Sequence, residues 1–200
     1  MKNILFIFCA ALFIFIGCSK DHKLDKSVFI SDTEFTDLPA YSEWGYNTFG
    51  AYYDRTPFIS NNSILPAKVS IHNNSMSFDL DGQKEFVNSY GYSEMVITFK
   101  MEGITPADYT GLLQFNGTVH DLTKSGTLVL VTVNNIQDTA VILNGELKFK
   151  RAQNLLVDKQ QIEVILSGTF GFRALINDKP ITISEGRFDV GISPDNFYSY

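Results

Sequence analysis

"VILNGELKFKRA" (Val141–Ala152) returns twelve residues after its end as "VILSGTFGFRA" (Val164–Ala174). Both copies alternate apolar and polar residues with a period of two. Val141, Leu143, Leu147 and Phe149 share one parity in the first copy; Ile162, Val164, Leu166, Phe170 and Phe172 share one around the second. That period belongs to a strand, not to a helix. Asn-Gly normally signals a hairpin. Here the apolar parity runs straight through Gly145 and Gly168, which predicts continuous strands with glycine facing the core. Glycine inside a strand marks a bend or a close backbone approach, as where a sheet curls. "FNGTV" (Phe115–Val119) is a weaker echo in which Asn116-Gly117 reads as a true turn.

The same period extends outward from these copies. Met95, Ile97, Phe99 and Met101 alternate with Val96, Thr98 and Lys100, and Phe188, Val190 and Ile192 with Arg187, Asp189 and Gly191. "TLVLVTV" (Thr127–Val133) is apolar on both parities and predicts a central strand. Asn47–Tyr53, Ala67–His72 and Met76–Leu80 are shorter candidates. Turn signals at Ser60–Ser63, His72–Ser75, Asp81–Gln83, Lys124–Gly126, Asn134-Asn135 and Asn177–Pro180 separate the runs. "TPADYTGLL" (Thr105–Leu113) predicts one short helix, with Thr105 as N-cap and Pro106 in the first turn. Eight to ten strands with little helix predict an all-β fold. It is either an antiparallel β-sandwich or a strongly curled or closed β-barrel, a lipocalin-like barrel included.

The chain begins "MKNILFIFCAALFIFIGCSKDHKLDKS". Lys2 is followed by an apolar run, Ile4–Ile16, too short to span a bilayer as a helix, which takes about 20 apolar residues. It has the proportions of a signal-peptide core. Its end, "FIGC" (Phe15–Cys18), resembles the lipobox of bacterial lipoproteins. The resemblance implies cleavage after Gly17 and lipid on Cys18, with Phe15 and Ile16 departing from the usual Leu and Ala or Ser. Residues 1–17 are then a signal peptide, 18–40 a polar tether and 41–200 a single β domain. Cys9 and Cys18 are the only cysteines, so the mature domain keeps no thiol for disulfide, zinc or nucleophile. "CSKD" resembles the export signal of Bacteroidetes surface lipoproteins, which implies an outer-membrane protein at the cell surface rather than on the periplasmic face. "LSGTFGFRALINDKPITISEGRFDVGI" (Leu166–Ile192) resembles the C-terminal hairpin of small uncharacterised Bacteroidetes lipoproteins, and "YNTFGAYYDRTPFIS" (Tyr46–Ser60) their N-terminal stretches. This implies a compact β domain on a lipid anchor and no particular reaction.

Chemistry-bearing motifs are sparse. The formal net charge is −6 with no Lys/Arg cluster, which argues against nucleic acid and anionic lipid surfaces as partners. His22, His72 and His120 are the only histidines, and no pattern for a metal or cofactor is present. A Ser–His–Asp set built from His120 and Ser125 or Ser167 lacks a nucleophile motif. "DLDGQKE" (Asp79–Glu85) lacks ligands of the EF-hand loop and reads as a hairpin end. Glu94, Glu102, Asp108, Glu146 and Asp189 are scattered, where a glycosidase needs two carboxyl groups across a cleft. The densest aromatic stretch is Tyr41–Arg55. Trp44, Tyr46, Phe49, Tyr52 and Tyr53 with Arg55 suggest a platform for stacking on sugars, set against ordinary packing at one end of the sheet. "DTA" (Asp138–Ala140) resembles a Bacteroidetes O-glycosylation motif, which implies a glycan on Thr139. The expectation is a non-catalytic envelope protein, held to the membrane by its N-terminal lipid and binding a glycan, a small apolar molecule or a protein. The competing readings are a lipocalin-like carrier, a fimbrial assembly subunit and an envelope hydrolase.

Overall fold

A computed structural model describes residues 27–60, 65–85 and 91–200. The signal segment, Cys18, the linker to Lys26 and most of the Ser60–Ser63 turn lie outside the described residues.

The fold is all-β. The strands are β1 (Thr48–Tyr53), β2 (Thr56–Ser60), β3 (Ala67–His72), β4 (Ser75–Glu85), β5 (Tyr92–Glu102), β6 (Thr118–Asp121), β7 (Thr127–Val133), β8 (Ile136–Val157), β9 (Gln160–Ile176), β10 (Lys179–Ile192) and β11 (Phe197–Ser199). They form one sheet, ordered β11-β3-β4-β2-β1-β10-β9-β8-β7-β5, and β5 pairs back onto β4. That last pairing runs from Ser75 opposite Glu102 to Glu85 opposite Tyr92 and closes eight strands into a barrel. On its other edge β4 takes β3 along its first half and β2 beyond. The edge of β8 is shared likewise by β7 and then β6.

The ring is strongly staggered. Starting at Ile136 of β8, the ladder passes through Val133, Met95, Gly82 and Ser60. It continues through Phe49, Phe188 and Gly168, and returns to β8 at Phe149, thirteen positions further along. Such a stagger obliges the strands to tilt against the barrel axis. An eight-stranded barrel is just wide enough inside for side chains or one small ligand. Here side chains fill it. Phe78, Phe149 and Phe188 meet with ring centroids 5.3–5.6 Å apart, and Phe99 and Phe170 continue the cluster at 5.5 Å. Leu80, Met95 and Ile97 are wholly buried around them. The lipocalin-like lumen is therefore occupied by the protein's own core.

β9 behaves as its sequence predicts: Val164, Leu166, Phe170 and Phe172 all face inward, with Gly168 among them. A Cβ on Gly168 would lie 1.9 Å from the Lys148 carbonyl oxygen and 2.5 Å from the Phe188 ring. Gly168→Ala is accordingly expected to destabilise the barrel by about 2–3 kcal/mol, read from the midpoint of urea unfolding.

β8 corrects the expectation of unbroken parity. A bulge between Ile142 and Asn144 shifts the register, and one residue of shift exchanges the faces of a strand. Val141 and Leu143 point outward, 60% and 57% exposed, while Leu147 and Phe149 beyond the bulge are fully buried. β7 is central in being paired on both edges, by β5 and β8, but only one face is buried: Val129 and Val131 face in, and Leu128 stands 39% exposed outside.

Asp81–Gln83 is not a reversal but part of continuous β4, with Gly82 packed under β2. The reversals at Asn73-Asn74, Asn134-Asn135 and Asn177-Asp178 have positive φ at both central residues, the two-residue hairpin turn that Asn and Asp favour. Asn116-Gly117 is a turn. The short helix is a 3-10 helix, Tyr109–Phe115, capped by Asp108 rather than Thr105. Asp108 accepts the amides of Thr110 and Gly111 because its short carboxylate reaches back over the first turn.

The domain also begins earlier than Tyr41. Residues 27–46 form a strap on the outer wall, not a free tether. Leu38 is wholly buried, and Pro39 sits so close over Gly50 that a Cβ there would meet it at 2.4 Å. Asp32 accepts the amides of Glu34 and Phe35 and pairs with Arg187 at 2.7 Å. The Arg187 guanidinium also lies 5.2 Å from the Phe35 ring. At the other terminus, Asn196 donates to the carbonyls of Ala67 and Gly191 and so delivers β11 to its parallel pairing with β3.

Candidate functional site

The six aromatic and basic residues grouped in the sequence do not make one platform. Phe49 points inward and is wholly buried against Phe58. Tyr52 faces outward, edge-on to Phe35 of the strap. Tyr53 sits under the Lys84 ammonium, 4.3 Å from its ring centre. Arg55 is exposed in the β1–β2 turn, at the opposite end of β1 from Trp44. Tyr46 is half-buried beside Val28, whose amide donates to the Tyr46 carbonyl. Of the five aromatic residues only Trp44 is open to solvent, 73% exposed. Alternation along a strand explains the dispersal, because adjacent residues cannot share a face.

What the stretch builds instead is a clamp around Asp189. This carboxylate, 2% exposed, accepts the amides of Trp44 (3.1 Å), Gly45 (2.8 Å) and Tyr46 (3.1 Å) and the hydroxyls of Ser42 and Ser167. Five donors converge on one buried acid. The strap is thereby fixed to β10 and β9.

Beside the clamp a groove of about 410 Å³ opens on the outer wall of β8, β9 and β10. Thr169, Gly171 and Gly186 line it where the strands offer little side chain. Phe170, Tyr41, Glu146, Lys150, Glu185 and Arg187 complete its lining. The Lys150 ammonium lies 4.5 Å from the centre of the Tyr41 ring. The Tyr41 hydroxyl donates to Glu43 at 2.8 Å. Burial, and then Glu43, push this phenol well above the ordinary tyrosine range, so it stays neutral. Glu146 pairs with Lys148 at 2.6 Å and Glu185 with Arg187 at 3.4 Å. Of these residues, the sequence reading weighed only Glu146, and as one of several scattered carboxylates.

A second groove, of about 490 Å³, lies between β3, β4 and the C-terminal segment. Asp79, Asp81 and Asp195 line it with Lys68, which pairs with Asp79 at 3.4 Å. Burial, then Glu94 and Asp79, raise the Asp81 carboxyl above its ordinary value. Asp79 and Asp81 share the outer face of a straight strand. Among the described residues no group of His, Cys, Asp and Glu is arranged to hold a metal ion.

His120 turns against Phe115 and Phe149, with ring centroids 5.7 and 5.8 Å away, while Asp121 caps Thr123. The pair therefore diverges. Ser167 bonds Asp189, not a histidine. Burial lowers the His120 pKa below 6.5. The unfolded chain thus binds a proton first, and stability is expected to fall as pH drops through 6.5 toward the lower folded-state value. Thermal scans of His120→Gln should show a smaller loss over that window. Thr139 is exposed on the outer face of β8, opposite Leu130 and near Val141.

The chain matches no protein-family model, and no curated protein or solved structure is significantly similar to it.

Proposed function

We propose that this chain is a lipid-anchored cell-envelope protein whose barrel is a rigid, non-catalytic binding module. The groove at Tyr41 is its site, and a glycan is the ligand class that suits it. The observation that carries this reading is the contrast between a filled interior and a polar, partly aromatic groove on the outer wall. A sugar offers hydroxyls to carboxylates and cations and an apolar face to an aromatic ring; Glu146, Lys150, Glu185, Arg187 and Tyr41 supply those groups. The lipobox-like end at Cys18 supports the anchor, since lipid chains hold a protein by roughly 0.8 kcal/mol for each buried CH2.

Both carboxylates of the groove are engaged by neighbouring cations, an arrangement for holding a ligand rather than for delivering a proton to a leaving group. The protein is expected to bind a subset of an envelope-glycan array without releasing reducing ends. Tyr41→Ala should weaken that binding about tenfold, roughly 1.4 kcal/mol, while Trp44→Ala leaves it unchanged. An array on which nothing binds sinks the glycan reading, and binding lost in Trp44→Ala alone moves the site.

A further inference from the structure

The strap carries apolar side chains on its outer side that stand exposed among the described residues. Trp44, the single tryptophan of the chain, is 73% exposed although its amide is pinned to Asp189. Val28, bonded through its amide to Tyr46, is 45% exposed, and Ile30 is 51% exposed. Leu156 joins them from the β8–β9 ribbon. It lies three residues beyond Gln153, whose side chain holds the Glu43 carbonyl, and is 59% exposed. These four come from three segments that the hydrogen bonds from Val28 to Tyr46 and from Gln153 to Glu43 hold side by side. A pinned backbone with a solvent-facing indole is an arrangement for contact.

The position of the chain's exit says what that contact is. Ser27, where the described structure starts, donates to the Asn47 carbonyl on this same flank. Cys18 is nine residues earlier. Fully extended, nine residues reach roughly 30 Å. Lipid on Cys18 therefore keeps this flank within that distance of the bilayer, whatever path the linker takes. Tryptophan favours the membrane–water boundary, where its ring is apolar and its N–H stays wet. Asp32, Glu34, Asp37 and Glu43 on the strap disfavour an anionic surface.

We propose that the flank bearing Val28, Ile30, Trp44 and Leu156 rests on the bilayer that holds the N-terminal lipid, with Trp44 in a zwitterionic headgroup layer. The inference rests on the lipoprotein reading of Cys18. It does not depend on what the groove binds.

The test uses the lipid-modified protein in phosphatidylcholine vesicles, where all indole emission comes from Trp44. Bromine placed on the upper acyl chain should quench that emission about twofold, as for an indole at the boundary. Leu156→Asp with Val28→Asp should abolish the quenching while the protein still floats with the vesicles. If the protein floats but Trp44 is unquenched by bromolipid and open to aqueous iodide, the docking is overturned and the anchor stands. If the purified protein carries no acyl mass and does not float, the anchor itself fails, and the docking with it.

Discussion

Asp189→Ala is expected to cost about 4 kcal/mol of folding free energy and to free the strap from the barrel. The carboxylate is almost fully buried and accepts five hydrogen bonds. Alanine would leave the amides of Trp44, Gly45 and Tyr46 and two serine hydroxyls without their acceptor in a dry site. Each buried donor so stranded costs roughly 1–3 kcal/mol, and the sum is limited by water entering as the strap lifts. The measurement is twofold. Urea unfolding gives the stability, and limited proteolysis reports the strap, with cleavage expected between Ser27 and Tyr46 before the barrel is cut. Asp189→Asn should fall between, because its amide keeps one acceptor but turns donors toward donors. A variant as stable and as protease-resistant as the parent would show that Leu38, Pro39 and the Asp32–Arg187 pair hold the strap without the clamp.

Phe149→Ala should cost a similar amount, about 3–5 kcal/mol. Its ring touches Phe78, Phe115, His120 and Phe188, at centroid distances of 4.7–5.8 Å. It joins the barrel interior to the 3-10 helix, so the cavity left behind cannot be closed by movement of one element. Phe149→Leu keeps most of the volume and should lose less than half as much. Thermal or urea unfolding of the pair checks both values. Equal losses would mean that ring contacts rather than filled volume carry the stability.

The all-β fold was legible because a period of two survives in every long strand. β9 shows why: its inward residues, Val164 to Phe172, keep one parity. β8 shows the limit. Its sequence copies that of β9, yet the bulge at Ile142–Asn144 reverses the faces. A bulge is settled by neighbouring strands and leaves little mark on local composition. β2, β6 and β11 escaped notice because each is five residues or fewer, too short for a pattern. Closure itself rests on β1 meeting β10, which are far apart in the sequence, a pairing no local signal specifies. The clamp was hidden for another reason. Asp189 sits among outward-facing polar positions, and only the strap folding over it turns it into a buried acceptor. Phe29, Ile30, Phe35 and Leu38 gave a faint hint of that strap, as apolar residues in an otherwise polar stretch before Pro39.

The ring closes through β1 and β10, which pair residue 48 with residue 189. Synthesis from the N-terminus delivers β1 long before its partner. Until β10 arrives, β1 has only β2 beside it, and the strap has no Asp189 to hold it. Pairings this far apart in sequence make folding slow. The last part of the chain to be made therefore sets the time at which the first part can fold, and a product cut short before Asp189 would leave Thr48 and Ser167 without the strand partner that joins them.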